Sequence, residues 1–207
     1  MPSQPLRQIP VDATRPDRVT ITAAVAELRA GRLLIIPTDT VYGIAADPRV
    51  PGALERIYAA KQRDRDKPVP FLAADLDAIK AYGAAIDPIG ERLAAAFWPG
   101  PLTLILPCGA GTEGFRVPAH AVTLALLRAA GGLLRVTSAN ISGARDALTA
   151  DDAIAALGNH CAAALDAGPS PGGVPSTVIR IDNGAISIIR EGVISGNSLR
   201  KAAGHAS

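Results

Sequence analysis

The chain has 207 residues, enough for one domain with a substantial core, and its 48% hydrophobic and 19% charged residues give a globular rather than a disordered balance. Aromatics at 3% exclude a broad base-stacking platform for single-stranded nucleic acid, and a formal charge of +2 excludes strong non-specific DNA binding while leaving room for a local basic patch. Cys108 and Cys161 form neither a CxxC pair nor a zinc quartet and read as reduced core thiols; His120, His160 and His205 show no metal-ligand spacing, so no protein metal site is expected. No apolar run reaches the length of a membrane span, and the N-terminus lacks the apolar centre of a signal peptide. A cytoplasmic protein with no membrane partner is the expectation.

Residues 1–16, rich in proline and polar groups, are expected as an arm, residues 17–194 as one undivided domain, and 195–207 as a short helix with a loose tail. Asp17 or Thr20 caps a helix whose apolar positions Ile21, Ala24, Val25 and Leu28 follow helical spacing, with Gly31 as its stop. Leu33 to Ile36 reads as a strand buried on both faces. It empties into Pro37-Thr38-Asp39-Thr40-Val41-Tyr42-Gly43, whose hydroxyls and carboxylate either meet a ligand at the strand's carboxyl end or satisfy their own turn. A helix over about 51–60 delivers Lys61-Gln62-Arg63-Asp64-Arg65-Asp66-Lys67. An extended backbone there puts four cations on one side as a grip for a polyanion; the plainer reading is a solvated loop of balanced charge.

Val69 to Ala73 is strand-like, 75–82 helical, and Asp87-Pro88 opens a further helix that Trp98-Pro99-Gly100-Pro101 breaks, with Trp98 as a packing anchor. A strand over 102–106 leads to Gly109-Ala110-Gly111-Thr112-Glu113-Gly114. This matches GxGxxG but runs into the extended Phe115-Arg116-Val117-Pro118 instead of a helix, so it is a turn and not a dinucleotide fingerprint. A helix over 121–130 precedes a strand over 133–136 that ends in the polar turn Thr137-Ser138-Ala139-Asn140-Ile141-Ser142-Gly143. A helix over 151–157, a strand over 162–165, a glycine- and proline-rich loop over 168–173, and a hairpin turning at Asp182-Asn183-Gly184 complete the chain. No P-loop is present, and the order of Ser138-Ala139-Asn140 and Ser198-Leu199-Arg200-Lys201 is wrong for a β-lactamase. Polar turns at strand ends with Lys61, Arg63, Arg116 and Arg190 suit a phosphate-rich small molecule, the cations neutralising charge while hydroxyls and an amide orient it.

Taken together, PTDTVYG (37–43), KxR (61–63), WPGPLTLIL (98–106), FRVPAH (115–120), TSANISG (137–143), STV (176–178) and REG (190–192) resemble the YrdC-like threonylcarbamoyl-AMP synthase family in its short, single-domain form. The resemblance implies an α/β fold, a twisted mixed sheet with flanking helices around a concave basic cleft. It implies a nucleotidyltransferase that converts L-threonine, bicarbonate and ATP, with Mg2+ assisting, to L-threonylcarbamoyladenylate and pyrophosphate. The product goes to a tRNA threonylcarbamoyl transferase complex, which modifies adenosine beside the anticodon. The family's KxR...SxN signature falls on Lys61, Arg63, Ser138 and Asn140, implied to be catalytic and ATP-binding; Thr112 and Arg190 fall on the nucleotide side, and Thr38, Arg116 and Ser176 on the threonine side. Two positions depart from the pattern: Asp64 stands where proline usually follows the KxR arginine, and Leu72 stands near a threonine-contacting histidine of some members. The competing readings are a module that binds double-stranded RNA or tRNA, and a paralogue acting on another carbamoylated substrate.

Overall fold

The computed structural model describes residues 6–182 and 184–204, so the hairpin-turn residue Asn183 and His205 lie outside the described residues. The strands are β1 (Arg7–Pro10), β2 (Leu33–Ile36), β3 (Gly43–Ala46), β4 (Phe71–Ala73), β5 (Leu102–Cys108), β6 (Gly111–Arg116), β7 (Leu133–Ser138), β8 (Cys161–Asp166), β9 (Thr177–Asp182) and β10 (Ala185–Arg190). They form one mixed sheet of ten strands in the order β1-β8-β2-β3-β7-β4-β6-β5-β9-β10. The helices are α1 (Arg18–Arg29), α2 (Ala53–Lys61), α3 (Leu76–Ala81), α4 (Pro88–Phe97), α5 (Ala121–Ala130), α6 (Ala150–Leu157) and α7 (Gly196–Ala203).

Local chemistry sets the helix ends. The Asp17 carboxylate accepts the Thr20 amide at 2.8 Å to start α1, and Asp87 accepts the Gly90 amide at 2.6 Å ahead of Pro88 in α4. Ile21, Ala24, Val25 and Leu28 are the buried face of α1, as their spacing predicts. Trp98 donates its indole N–H to the Leu102 carbonyl at 2.7 Å and packs at the edge of the core, an anchor as expected.

Strand alternation distributes the core. Leu34 and Ile36 of β2 face one cluster under α1 and α5, while Leu33 and Ile35 face a second under α2 and α6, so this strand is covered on both sides. In the other half of the sheet, Leu102, Leu104 and Leu106 of β5 and Phe115 of β6 join a third cluster with α3, α4 and α7. The intervening positions of β5 and β6 face away from those helices. That uncovered face is where the cleft forms.

Four differences from the sequence reading have simple causes. Residues 1–16 are not only an arm: Arg7–Pro10 extends the sheet edge by parallel pairing with β8, where exposed side chains on a short edge strand leave little hydrophobic signal. Of the 109–114 stretch read as a turn, only Gly109 and Ala110 turn and the rest begins β6, paired with β5, whereas the short helix expected after Ser195 is present as α7, with Leu199 and Ala203 buried against the α4 cluster. β3, Gly-Ile-Ala-Ala, is a strand without a sequence signal, because a glycine and two alanines carry little β-propensity. Finally, the run from Lys61 to Lys67 is not extended. Lys61 ends α2, Gln62 takes a left-handed conformation with φ of 51°, and 64–67 fold into a turn, so the alternation of charge makes no row.

Candidate active site

The uncovered face of the sheet floors a cleft of about 710 Å³. Thr103 and Ile105 of β5, and Thr112, Gly114 and Arg116 of β6, line it at alternate positions. The 37–43 loop walls one side, the 63–70 segment a second, and Ser176 with Arg190 a third. Among the described residues, Arg63, Lys67, Arg116 and Arg190 are its cations and Asp66 is its single carboxylate. Of the residues expected at the site, Thr38, Arg63, Thr112, Arg116, Ser138, Ser176 and Arg190 meet in this one cavity. Lys61 and Asn140 lie directly behind it.

Arg116 is the most constrained of these cations. Its side chain is 7% exposed and pairs with Asp39, 10% exposed, at 2.5 Å. Its remaining bonds run from Nη1 to the Thr40 hydroxyl at 2.9 Å and from Nε to the Gly100 carbonyl at 3.0 Å. Burial lowers the Arg116 pKa and Asp39 opposes the shift. A guanidinium has five N–H donors, so further donors remain beyond these three bonds, and the group lines the cleft. Asp39 and Thr40, which hold Arg116 in place, have no role in the motif assignment. The signal was available: a buried arginine requires a counter-ion, and Asp39 is the carboxylate of the PTDT loop.

Thr38 serves its own turn. Its hydroxyl donates to the Val41 carbonyl at 2.6 Å and accepts the amides of Thr40 and Val41 at 3.1 and 3.3 Å, while the residue still lines the cleft. The loop is also pressed from outside. A Cβ on Gly172 would stand 2.6 Å from the Asp39 carbonyl oxygen, and the Gly173 amide donates to the Thr40 carbonyl at 2.9 Å. Tyr42, fully buried, donates its hydroxyl to the Gly168 carbonyl at 2.6 Å; burial, first, raises its pKa to about 12. The 168–173 loop is thus the outer support of the PTDT turn.

On the opposite wall Arg190 donates to the carbonyl and hydroxyl of Ser176 at 2.8 and 3.2 Å, and Ser176 also bonds the Thr103 hydroxyl at 2.8 Å. Gly192 allows this wall to close, because a Cβ there would overlap the Pro175 carbonyl and the Ser176 backbone. Arg63 braces the third wall, donating Nε to the Lys67 carbonyl at 2.8 Å and Nη2 to the Pro68 carbonyl at 3.1 Å. Asp64 does not face the cleft grip. Its carboxylate accepts the Asp66 amide at 3.1 Å and its carbonyl accepts the Lys67 amide at 3.1 Å, so it builds the turn that a proline would otherwise stiffen. Leu72 lies in the cleft floor, 4% exposed.

Lys61 is 1% exposed, and its ammonium donates to the carbonyls of Ser138 and Asn140, each at 2.5 Å, and to Asn140 Oδ1 at 3.2 Å. Burial, assisted by Arg63 and opposed by Asp146, brings its pKa down to about 8. Ser138 donates its hydroxyl to Asn140 Oδ1 at 2.6 Å, and Asn140 Nδ2 donates to the Ala144 carbonyl at 2.6 Å. Among the described residues no group of three or more His, Cys, Asp and Glu side chains could hold a metal ion.

A mixed α/β sheet with a one-sided cleft lined by arginines and hydroxyls has the chemistry to hold a small anionic ligand. The chain belongs to the Sua5/YciO/YrdC family, whose model, described as "Telomere recombination", matches residues 26–192. A relative from Mycobacterium tuberculosis is 36% identical over 194 residues, covering 89% of each chain. The threonylcarbamoyl-AMP synthase of Chromohalobacter salexigens is 34% identical over 174 residues, covering 79% of this chain and 94% of its own. Among solved structures, Pyrococcus abyssi Sua5 complexed with L-threonine superposes with a TM-score of 0.90 at 31% identity, over 96% of this chain and 61% of that one. The chain therefore spans about three-fifths of the archaeal protein.

Proposed function

We propose that this protein is an L-threonylcarbamoyladenylate synthase. The observation that carries the reading is convergence: residues from 38 to 190, taken from seven separate motifs, line one cleft of about 710 Å³. Relatives named threonylcarbamoyl-AMP synthase and a threonine-bound structural neighbour supply the chemistry to test. Threonine lies with its carboxylate toward Arg116 and its polar atoms toward Thr38 and Ser176. ATP occupies the side walled by Arg63, Thr112, Ser138 and Arg190, with Lys61 and Asn140 behind. Mg2+ enters on the triphosphate of the nucleotide, which suits a cleft whose lining has the one carboxylate of Asp66.

The reaction requires no covalent link to the protein. The threonine amine and bicarbonate form a carbamate with loss of water; a carbamate oxygen attacks the α-phosphorus, and pyrophosphate leaves. The protein's contribution is to align the two reactants and offset charge on the departing pyrophosphate, a role for which Arg63 and Arg190 are available in the cleft lining. The cytoplasm is the proposed compartment and a tRNA threonylcarbamoyl transferase complex the recipient of the product. Incorporation of radiolabelled bicarbonate into an adenylate tests the reading. Label should enter only with threonine and ATP together, and no incorporation by folded protein across a panel of amino acids would sink it. Direct binding of double-stranded RNA or tRNA is the second reading, resting on Arg63, Lys67 and Arg190 at the cleft; its affinity must fall steeply as salt rises.

A further inference from the structure

We propose that Lys61 is a positioning residue that holds the 138–142 turn in place, and that it does not ligate the triphosphate. This deepens the synthase reading and rests on it for the identity of the ligand. An ammonium has three N–H donors, and three protein oxygens take them: the carbonyls of Ser138 and Asn140 and the Asn140 side chain. With the residue 1% exposed, a phosphate oxygen could reach Nζ only by displacing one of those acceptors and stranding it in the interior. The backbone repeats the attachment, since the Ser142 amide donates to the Lys61 carbonyl at 3.0 Å. Helix α2 is thus tied to both ends of the turn by a single residue.

The same bonds account for Asn140. Its Oδ1 receives both the Lys61 ammonium and the Ser138 hydroxyl, and its Nδ2 is committed to the Ala144 carbonyl. The four signature residues therefore divide by depth. Lys61 and Asn140, 1% and 6% exposed, form a buried base, whereas Arg63 and Ser138 line the cleft. Gln62, left-handed at φ of 51°, is the bend that sends Lys61 inward and Arg63 outward. Positive charge at the phosphates comes from the arginines, and Lys61 fixes where Ser138 stands.

The test uses the full chain labelled with carbon-13 at lysine Cε, the Lys61 signal being the one missing from K61M. In the free protein this signal should titrate near pH 8, and saturating ATP with Mg2+ should leave that midpoint in place. A rise of about one unit or more on adding ATP, as an anionic neighbour within reach produces, overturns the proposal. K61M gives a second readout. ATP dissociation should stay within about threefold while turnover falls about 100-fold, the scale of a displaced catalytic group. A loss of ATP affinity of about tenfold or more, as for a severed charge-assisted bond, counts against it. Should K61M fail to fold, the wild-type titrations still decide. Absence of turnover in the wild type, with the Lys61 midpoint near 8, would defeat the synthase reading and leave the positioning role standing.

Discussion

Gly172→Ala tests whether the 168–173 loop sets the geometry of the threonine side. The φ of Gly172 lies outside the left-handed region, so the substitution acts through space alone. The new methyl would stand 2.6 Å from the Asp39 carbonyl oxygen and 3.1 Å from the Thr40 Cα, both backbone atoms that cannot swing aside as a flexible side chain would. The loop cannot retreat freely either, because the Gly173 amide holds Thr40 and the Ser170 amide holds Leu148. Overpacking of this kind costs about 1–3 kcal/mol, and for a chain of this length each kcal/mol lowers Tm by about 2–4 °C. The expected fall is therefore roughly 2–12 °C by calorimetry. Asp39 and Thr40 supply two of the three acceptors of Arg116, so the strain should raise the KM for threonine about tenfold, the equivalent of about 1.4 kcal/mol, and leave that for ATP unchanged. An unshifted Tm, or equal increases for both substrates, would refute this account of the loop.

Arg116→Lys replaces a planar fork by a point charge and loses at least one of the bonds to Asp39, Thr40 and Gly100; threonine KM measured by pyrophosphate release should rise about tenfold or more, and retention of wild-type KM would remove Arg116 from threonine binding. Asp47→Asn tests the pH dependence of stability. Burial pushes Asp47 upward, but hydrogen bonds from Arg49 outweigh it and hold its pKa below the ordinary value of 3.8. Its contribution is complete above that value and is lost as pH falls through the lower folded value. The variant should thus lose about 1–3 kcal/mol in urea unfolding at pH 7, and the gap to wild type should narrow below about pH 4; a gap constant with pH would contradict the pairing. Leu199→Ala empties a fully buried position in α7 and should cost about 2–5 kcal/mol by the same measurement. A neutral result would mean that the helix contributes nothing to the folded body.

The helices were legible because their signals are local: Asp17, Asp87-Pro88 and the spacing of Ile21 through Leu28 determine their own neighbourhoods. β3 and β1 were not, since a small-residue strand and an exposed edge strand exist only through their partners β2, β7 and β8. At the site, motif order identified residues that line the cleft, from Thr38 to Arg190, across the whole sheet. It could not distinguish depth. Lys61 and Arg63 look equivalent as charges two residues apart, and only the helix end and the left-handed Gln62 separate a buried ammonium from a cleft-lining guanidinium. Likewise Asp64 reads as a stray charge until its carboxylate is seen bonding the amide of Asp66.

The parallel pairing of β1 with β8 has a consequence for the order in which the chain can assemble. Arg7 lies opposite Ala163, and β2 takes the other side of the same strand, so neither contact exists until residues 161–166 have been synthesised. At ribosomal speeds of about 5–20 residues per second, β1 and one flank of β2 wait on the order of ten to thirty seconds. β2 and β3 can pair early, and β7 can join them from the far side, but the apolar β2 flank stays open throughout that interval. The arrival of β8 fills it and gives β1 its place in one step. β1 is therefore made long before β8, the one strand that it pairs with among the described residues.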